Sequence, residues 1–263
     1  MKMWSFDPAL VVAILLGCIG VMSVGAVTAQ AQQTQREPRF RVLVFSKTAG
    51  FRHTSIPDGI AAIWRLGEQN NFAVDASEDA TLFDPDVLSR YKVVIFLSTT
   101  GDILTPGQQA AFEQFIKSGG GFVGIHAAAD TEYDWPWFGE LVGGYFKSHP
   151  EQQDAVVIVE DREHLSTRHL PERWQRWDEW YNYRQNPRGK VNVLASMDES
   201  SYKSGEQQDD HPIAWYHEFD GGRAWYTGMG HTEASFTEPE FMQHVLGGIE
   251  WAAGSTELQQ PGR

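Results

Sequence analysis

The chain has almost no cysteine. Its only cysteine among 263 residues is Cys18, which lies in an N-terminal segment that we expect to be cleaved off. The mature chain would then carry no thiol, which excludes disulfides, thiolate metal ligands and a cysteine nucleophile. Any catalysis therefore depends on other side chains.

Positive charge is also scarce. Lys and Arg number 21 against 35 Asp and Glu, which gives a formal net charge of −14, and no cluster of basic residues interrupts this pattern. Binding to nucleic acid needs a basic face because the phosphates are anionic, so a nucleic-acid partner is excluded. We expect no nucleotide cofactor, and the composition favours no particular oligomeric state.

The long apolar run of the sequence lies at its N-terminus. Lys2 precedes an apolar run over residues 9–27, and an A-x-A pattern that ends at Ala31 precedes polar residues. This layout is typical of a secretory signal peptide. We therefore predict a signal peptide over residues 1–31 and export of the mature protein to the periplasm or the extracellular space. Two alternatives involve the membrane: a lipoprotein box that ends at Cys18, and an uncleaved leader that serves as an anchor.

Apolar, β-branched runs alternate with helical patterns up to about residue 150. Strands are predicted at 40–46, 72–76, 91–99 and 122–125, and helices at 56–70 and 105–117. Pro57 and Pro106 fit the first turns of these helices, because proline lacks the N–H that a first turn leaves unpaired. Strands that alternate with helices indicate βαβ units and an open parallel sheet.

The second half of the chain is less regular and rich in aromatic residues. Strands are predicted at 154–160, 191–196, 212–219 and 223–230, and a helix at 239–253. The sequence Asp220-Gly221-Gly222 predicts a hairpin turn between the last two strands. We therefore predict one α/β domain over residues 40–254, with a doubly wound, mostly parallel sheet and an antiparallel, aromatic-rich addition.

Histidines and carboxylates follow several of the predicted strands. In open α/β sheets, functional sites form at the carboxyl ends of the strands. The candidates at these ends are His53, His126, Asp130, His149, His231 and Glu233, and the segment WDEWY adds Asp178, Glu179 and Tyr181. A single histidine of this kind is more often structural, but four at strand ends favour a functional group. The histidines on polar or amphipathic stretches are predicted to be solvated or capping residues: His164, His169, His217 and His244.

Imidazoles suit two kinds of chemistry. They transfer protons near neutral pH, and they are common metal ligands. A carboxylate two residues after His231, that of Glu233, could orient the His231 ring or share a metal ion. The chain has no H-x-x-x-H or H-E-x-x-H motif, so a metal site would be assembled from distant loops. The candidate ligands for one divalent metal ion are His126, His149 and His231.

Tryptophans indicate the class of substrate. Trp177 and Trp180 lie among charged residues and are hard to bury together, whereas Trp215 and Trp251 are predicted to lie in the core. A flat aromatic ring beside carboxylates suits a sugar, whose ring has an apolar face and hydroxyl edges. We therefore expect a small-molecule carbohydrate partner. The residues predicted to bind it are His149, Asp130, Asp178, Tyr181, Trp177 and Trp180.

Several motifs together resemble the trehalose-utilisation (ThuA-like) family. They are VLVFSKTAGFRHTSI, GGGFVGIHAAAD, FKSHP, WDEWY, HPIAWYHEFDGGRAWYTGMGH and GGIEWAAG, and they cover about residues 40–254. The resemblance implies a flavodoxin-like fold similar to that of class I glutamine amidotransferases. Those enzymes carry a cysteine at the corner that His126 occupies here, and they have a His-x-Glu pair that matches His231 and Glu233. Without a cysteine in the mature chain, amidotransferase chemistry is excluded.

The resemblance also implies a role in the use of disaccharides, particularly of sugars oxidised at C3. The leading hypothesis is an exported enzyme that acts on a glucoside or 3-keto-glucoside by proton transfer, with assistance from a metal ion as one option. The predicted catalytic residues are His126, His231, Glu233, His53 and Glu179. Two alternatives stay open: a non-catalytic sugar-binding module that needs Trp177 or Trp180, and a glycoside hydrolase with the carboxylate pair Asp130 and Glu179.

Overall fold

The computed structural model of the protein describes residues 37–257. The predicted signal peptide, its cleavage site and Cys18 lie outside these residues. Within the described part of the chain, no helix is long and apolar enough to cross a membrane.

Strands and helices alternate in the first half of the structure, and strands dominate the second. In chain order, the strands are β1 (Arg41–Phe45), β2 (Ala73–Ser77), β3 (Val93–Leu97), β4 (Gly121–Ile125), β5 (Phe146–Ser148), β6 (Gln153–Val159), β7 (Arg173–Asp178), β8 (Asn182–Tyr183), β9 (Asn192–Asp198), β10 (Pro212–Phe219) and β11 (Gly222–Thr227). The helices are α1 (Ile56–Asn70), α2 (Pro85–Leu88), α3 (Pro106–Lys117), α4 (Pro136–Val142) and α5 (Pro239–Ala252). Two short 3₁₀ turns, His126–Asp130 and Glu233–Thr237, follow β4 and β11.

One large sheet organises the described residues. Its strand order is β2-β1-β3-β4-β11-β10-β9-β6-β7. The first five strands in this order pair in parallel, and the rest pair antiparallel. The parallel part has the flavodoxin-like order. The predicted fold class, a doubly wound sheet with an antiparallel addition, is confirmed.

Helices cover both faces of the parallel strands. A Cβ on Gly121 of β4 would lie 2.4 Å from the carbonyl oxygen of Ala252 in α5, whereas the ring of the next residue, Phe122, packs against Phe112 of α3 and Phe138 of α4. Successive residues of a strand point to opposite faces, so α5 lies on one face and α3 and α4 lie on the other. The strands between them are fully buried.

Several elements were predicted correctly from short patterns in the sequence. Helix α1 has the predicted bounds, α3 begins at the predicted Pro106, and Asp220 and Gly221 form the predicted turn with φ values of 49° and 93°. No strand was predicted between residues 160 and 191, and this was wrong, because the segment contains β7, whose residues alternate between exposed and buried. The alternation is hard to recognise in the sequence, because the buried face of β7 carries the polar Arg176 beside Trp174.

Three histidines that were predicted to be solvated or capping are buried: His164, His217 and His244. The prediction was wrong because a neutral imidazole packs well once one N–H finds a carbonyl. His244 Nδ1, for example, lies 2.8 Å from the carbonyl oxygen of Ser166. Burial lowers the pKa of His244 to about 3 and that of His164 to about 4.

Candidate active site

His126 occupies the corner after β4. It is fully buried and has a left-handed backbone conformation, with φ of 51°, which is uncommon outside glycine and is frequent at functional sites. Its ring Nδ1 lies 2.9 Å from the carbonyl oxygen of Gly228, the residue after β11. Because a carbonyl only accepts hydrogen bonds, Nδ1 carries a proton, and Nε2 is the ring nitrogen that faces Glu179 and His231.

His231 lies on the loop that follows β11, and Asp178 holds this loop in place. One carboxylate oxygen of Asp178 accepts the backbone N–H of Gly230 at 2.8 Å, and the other accepts that of His231 at 3.0 Å. Asp178 is fully buried and lies 3.2 Å from the guanidinium of Arg176. Asp178 was predicted to bind substrate, and the structure corrects this, because its oxygens bind the backbone of Gly230 and His231 and the guanidinium of Arg176.

Glu179 joins the two histidines. Its Oε2 lies 3.4 Å from His126 Nε2 and 3.2 Å from His231 Nδ1, and these two nitrogens are 3.1 Å apart. Burial alone would raise the pKa of Glu179, but the hydrogen bonds with His126 and His231 outweigh it and hold this pKa well below the usual range. Burial lowers the pKa of His231, but the bond to Glu179 and the negative charges of Glu179, Asp178 and Glu233 together outweigh that effect and raise it overall. Glu179 is therefore a carboxylate anion.

His53, from the loop after β1, completes the group. Its ring centroid lies 4.9 Å from that of His126 and 5.0 Å from that of His231. Burial, followed by the charges of His126 and His231, lowers the pKa of His53 to about 3. Its Nδ1 is buried and has no hydrogen-bond partner among residues 37–257. His53 is thus a neutral imidazole with an unsatisfied nitrogen.

These four side chains could hold a metal ion. One ligand atom from each of His53, His126, Glu179 and His231 lies within 4.8 Å of all the others. Three ligand atoms around a tetrahedral ion, bound at about 2.0–2.2 Å, lie about 3.3 Å apart, which fits the 3.1–3.4 Å triangle of His126, Glu179 and His231. Imidazole with carboxylate suits zinc, iron or other first-row divalent ions better than magnesium or calcium. The backbone bond to His126 Nδ1 is the kind that orients a histidine ligand.

The fold has relatives of known structure. A family model described as trehalose utilisation matches residues 41–252. The chain belongs to the ThuA family. A putative ThuA-like protein from Bacteroides uniformis is 27% identical, with a TM-score of 0.72 over 82% of this chain and 92% of that one. Another from Parabacteroides merdae is 22% identical, with a TM-score of 0.70 over 85% and 92%.

A more distant likeness concerns the fold alone. A β-galactosidase from Bacillus circulans is 14% identical, with a TM-score of 0.55 over 83% of this chain and 32% of that one. No curated protein matches the chain.

His149 and Asp130 lie beside the four-residue group of this ThuA protein. His149 Nδ1 lies 3.2 Å from Glu179 Oε1, the oxygen that faces away from the other histidines, and its side chain is 43% exposed. The group that could hold a metal ion contains two of the predicted ligands, His126 and His231, together with His53 and Glu179, but it does not contain the third predicted ligand, His149. Asp130 accepts a hydrogen bond from Tyr133 Oη, and burial raises the pKa of Asp130.

Glu233 does not orient the ring of His231 as predicted. Its carboxylate accepts a hydrogen bond from Thr54 Oγ1 at 2.5 Å, which lowers the pKa of Glu233. The spacing His-x-Glu drew attention to Glu233, but the turn that begins at Glu233 carries its side chain to solvent. Glu179, from a different segment, bonds to His231 instead.

The aromatic residues of the WDEWY segment have three different environments. Trp180 is fully buried and its indole N–H donates to the carbonyl oxygen of Gln153 at 2.8 Å, so its predicted exposure to sugar is wrong. Trp177 is 52% exposed, but it points to the face of β7 opposite Asp178. Tyr181 is buried, with its ring centroid 4.2 Å from that of His126. It packs behind the histidine.

Sequence reasoning missed a pair that supports this segment, His211 and Glu199. His211 Nε2 lies 2.8 Å from the carbonyl oxygen of Tyr181, and its Nδ1 lies 2.8 Å from Glu199 Oε1. The pair fixes the backbone two residues after Glu179. Only the position of His211 before Pro212 hinted at an ordered loop, and no local pattern pointed to Glu199.

Proposed function

We propose that this ThuA protein is an exported carbohydrate-modifying enzyme that acts on a glucoside or 3-keto-glucoside by histidine-based proton transfer, with one divalent metal ion held by His53, His126, Glu179 and His231. The trehalose-utilisation family supports a carbohydrate-related role. The observation that carries the proposal is the 3.1–3.4 Å triangle of His126 Nε2, His231 Nδ1 and Glu179 Oε2.

The chemistry follows from the acidity of the substrate. A keto group at C3 acidifies the proton on C2, so a base of moderate strength can remove it. The electrons of that C–H bond then form a C1–C2 double bond as the glycosidic C–O bond breaks, and the departing alkoxide takes up a proton. When bound, the metal ion would supply a Lewis acid for the developing negative charge on the keto oxygen.

His149 is suited to take the proton from C2. Its Nδ1 faces two acceptors, the carbonyl oxygen of Pro150 at 2.9 Å and Glu179 Oε1 at 3.2 Å. Nδ1 therefore carries the proton of the neutral ring, and Nε2 is left as the free base. His149 lies beside the four-residue group and its side chain is 43% exposed, so it can return the proton to solvent between turnovers.

Two measurements test the proposal together. Mass spectrometry follows deuterium uptake at C2 of methyl 3-keto-glucoside in D₂O, and elemental analysis follows bound metal. We expect metal in stoichiometric amount, its loss in His126→Ala and Glu179→Gln, and its retention in His149→Ala with slow exchange. His169→Ala is a matched histidine control outside the cluster. Exchange that persists at the wild-type rate in His149→Ala and His126→Ala would contradict the proposal.

A second candidate, a carboxylate-pair hydrolase, has one observation in its favour. The pKa of Asp130 is raised by burial while that of Glu179 is held low by its histidines, and opposed shifts of this kind mark the acid and the nucleophile of glycosidases. Both oxygens of Glu179 face imidazoles, however, which leaves little room for attack on a sugar carbon. Cleavage of an unoxidised glucoside by the metal-free protein would favour this candidate.

A further inference from the structure

An exposed aromatic side chain lies next to the histidine cluster. Phe51 is 66% exposed, the largest exposure among the large apolar side chains of the described residues. Its ring centroid lies 4.9 Å from that of the buried His53, with the two planes 85° apart. Trp64 and Trp177 are also exposed, but among residues 37–257 neither ring pairs with a histidine ring of the cluster, as Phe51 does with His53. Phe51 therefore presents apolar surface to solvent at the site itself.

The backbone fixes Phe51 in this exposed position. Thr100 binds the loop on both sides of the residue, since its Oγ1 accepts the N–H of Gly50 at 3.2 Å and donates to the carbonyl oxygen of Phe51 at 2.9 Å. On the other side, Arg52 pairs with Glu78 through two contacts of 2.6 and 3.0 Å. The exposure is thus built into an ordered loop. An exposed phenyl ring contributes little to folding, so its surface is available to a ligand.

Two polar residues lie next to the same histidines in the chain and are bonded to each other. Thr54 directly follows His53, and Glu233 lies two residues after His231. Thr54 Oγ1 donates a hydrogen bond to Oε1 of Glu233, and the carboxylate of Glu233 is exposed to solvent. An apolar ring packed against His53 and a carboxylate bonded to the next residue, Thr54, match the two surfaces of a sugar: its face of C–H groups and its edge of hydroxyls.

We infer that Phe51 is a stacking platform for a saccharide ring, and that Glu233, held by Thr54, accepts hydrogen bonds from the hydroxyls of the same ring. This inference rests on the proposed function, because it names the part of that site that binds the sugar. It also replaces Trp180, which the structure buries, as the aromatic contact to the substrate.

Calorimetric titration with trehalose and with methyl 3-keto-glucoside tests the platform. Phe51→Ala should weaken binding about tenfold, because stacking covers part of the ring surface, whereas Phe51→Trp should keep the affinity. Trp64→Ala removes an exposed aromatic ring on α1 and serves as the control, with unchanged affinity. Metal content and thermal midpoint should stay at the wild-type values in Phe51→Ala, since the ring is exposed.

The outcomes separate the two proposals. Equal affinity of Phe51→Ala and the wild type would overturn the platform and leave the proposed function standing. A wild-type protein that carries the metal but binds neither probe would overturn the carbohydrate substrate class, and the platform with it. A tenfold loss in Phe51→Ala that Phe51→Trp restores, together with weaker binding in Glu233→Gln, would support both roles.

Discussion

Replacement of Asp178 by alanine should disrupt the candidate site, although Asp178 is not one of the four residues that could bind a metal ion. Its carboxylate accepts backbone N–H groups from Gly230 and His231, and it pairs with the buried guanidinium of Arg176. The alanine variant loses all of these bonds together. The loop that carries His231 would then lack its anchor, and the charge of Arg176 would lose one of its two carboxylate partners.

The size of the expected loss in stability follows from the burial of Asp178 and Arg176. The side chain of Asp178 is 0% exposed and that of Arg176 is 2% exposed, so water cannot replace the lost partner. Breaking a buried ion pair by removing one member costs about 3–5 kcal/mol. The lower end is expected here, because Glu238 still contacts Arg176 at 2.7 Å. A domain of this size has a free energy of unfolding of about 5–15 kcal/mol, so the variant should fold with reduced stability.

Urea unfolding followed by tryptophan fluorescence measures this loss of stability, and elemental analysis measures whether the proposed metal ion is lost as well. Asp178→Asn keeps the shape of the side chain and should fall between the wild type and Asp178→Ala. Asp154→Ala, an exposed carboxylate on the neighbouring strand β6, is the control and should change stability by less than about 0.5 kcal/mol. A loss below about 1 kcal/mol in Asp178→Ala would refute the reasoning.

Three further predictions concern pH, packing and metal. The pKa of His244 is about 3 in the folded state and about 6.5 in an unfolded chain. Below pH 6.5, His244 therefore takes up a proton in the unfolded state but stays neutral in the folded state. Because of this difference, the free energy of unfolding should fall by about 1.4 kcal/mol for each pH unit from pH 6 to 4. Urea titrations at several pH values should show that the free energy of unfolding depends less steeply on pH in His244→Gln. Gly121→Ala should destabilise by about 1–3 kcal/mol or more, since its Cβ would meet the carbonyl oxygen of Ala252, whereas Gly107→Ala, with nothing within 4 Å, should be neutral or stabilising in the same assay. A divalent metal at 100 times its Kd should raise the free energy of unfolding by about 2.7 kcal/mol, and calorimetry should show no such gain in Glu179→Gln.

Local chemistry accounts for the parts of the fold that were predictable. The apolar runs of β1, β3 and β4, the proline at the start of α3 and the Asp220-Gly221 turn each follow from a few neighbouring residues. The corner at His126 was predictable for the same reason. It ends a buried strand, and strands of a parallel sheet end at the edge where sites form.

The centre of the site was harder to predict because distant segments build it. Glu179 was one candidate among several carboxylates, and its contact with His231 spans 52 residues of the chain. Asp178 and Glu179 are adjacent in sequence, yet one holds a loop and the other reaches the histidines. Nothing in the local pattern WDEWY distinguishes these two environments, which depend on how β7 packs against the turn after β11.

The position of β11 bears on the order of events during folding. It is the last strand in the chain, but it lies inside the sheet, where it pairs with β4 on one side and β10 on the other. Its pairing with β4 joins residues about 100 positions apart, such as Gly121 and Arg223, and contacts of such separation form slowly. His126 obtains its Gly228 partner only when β11 is in place. Capture of the proposed metal ion would therefore be a late step, and its rate would report when β11 has joined the sheet.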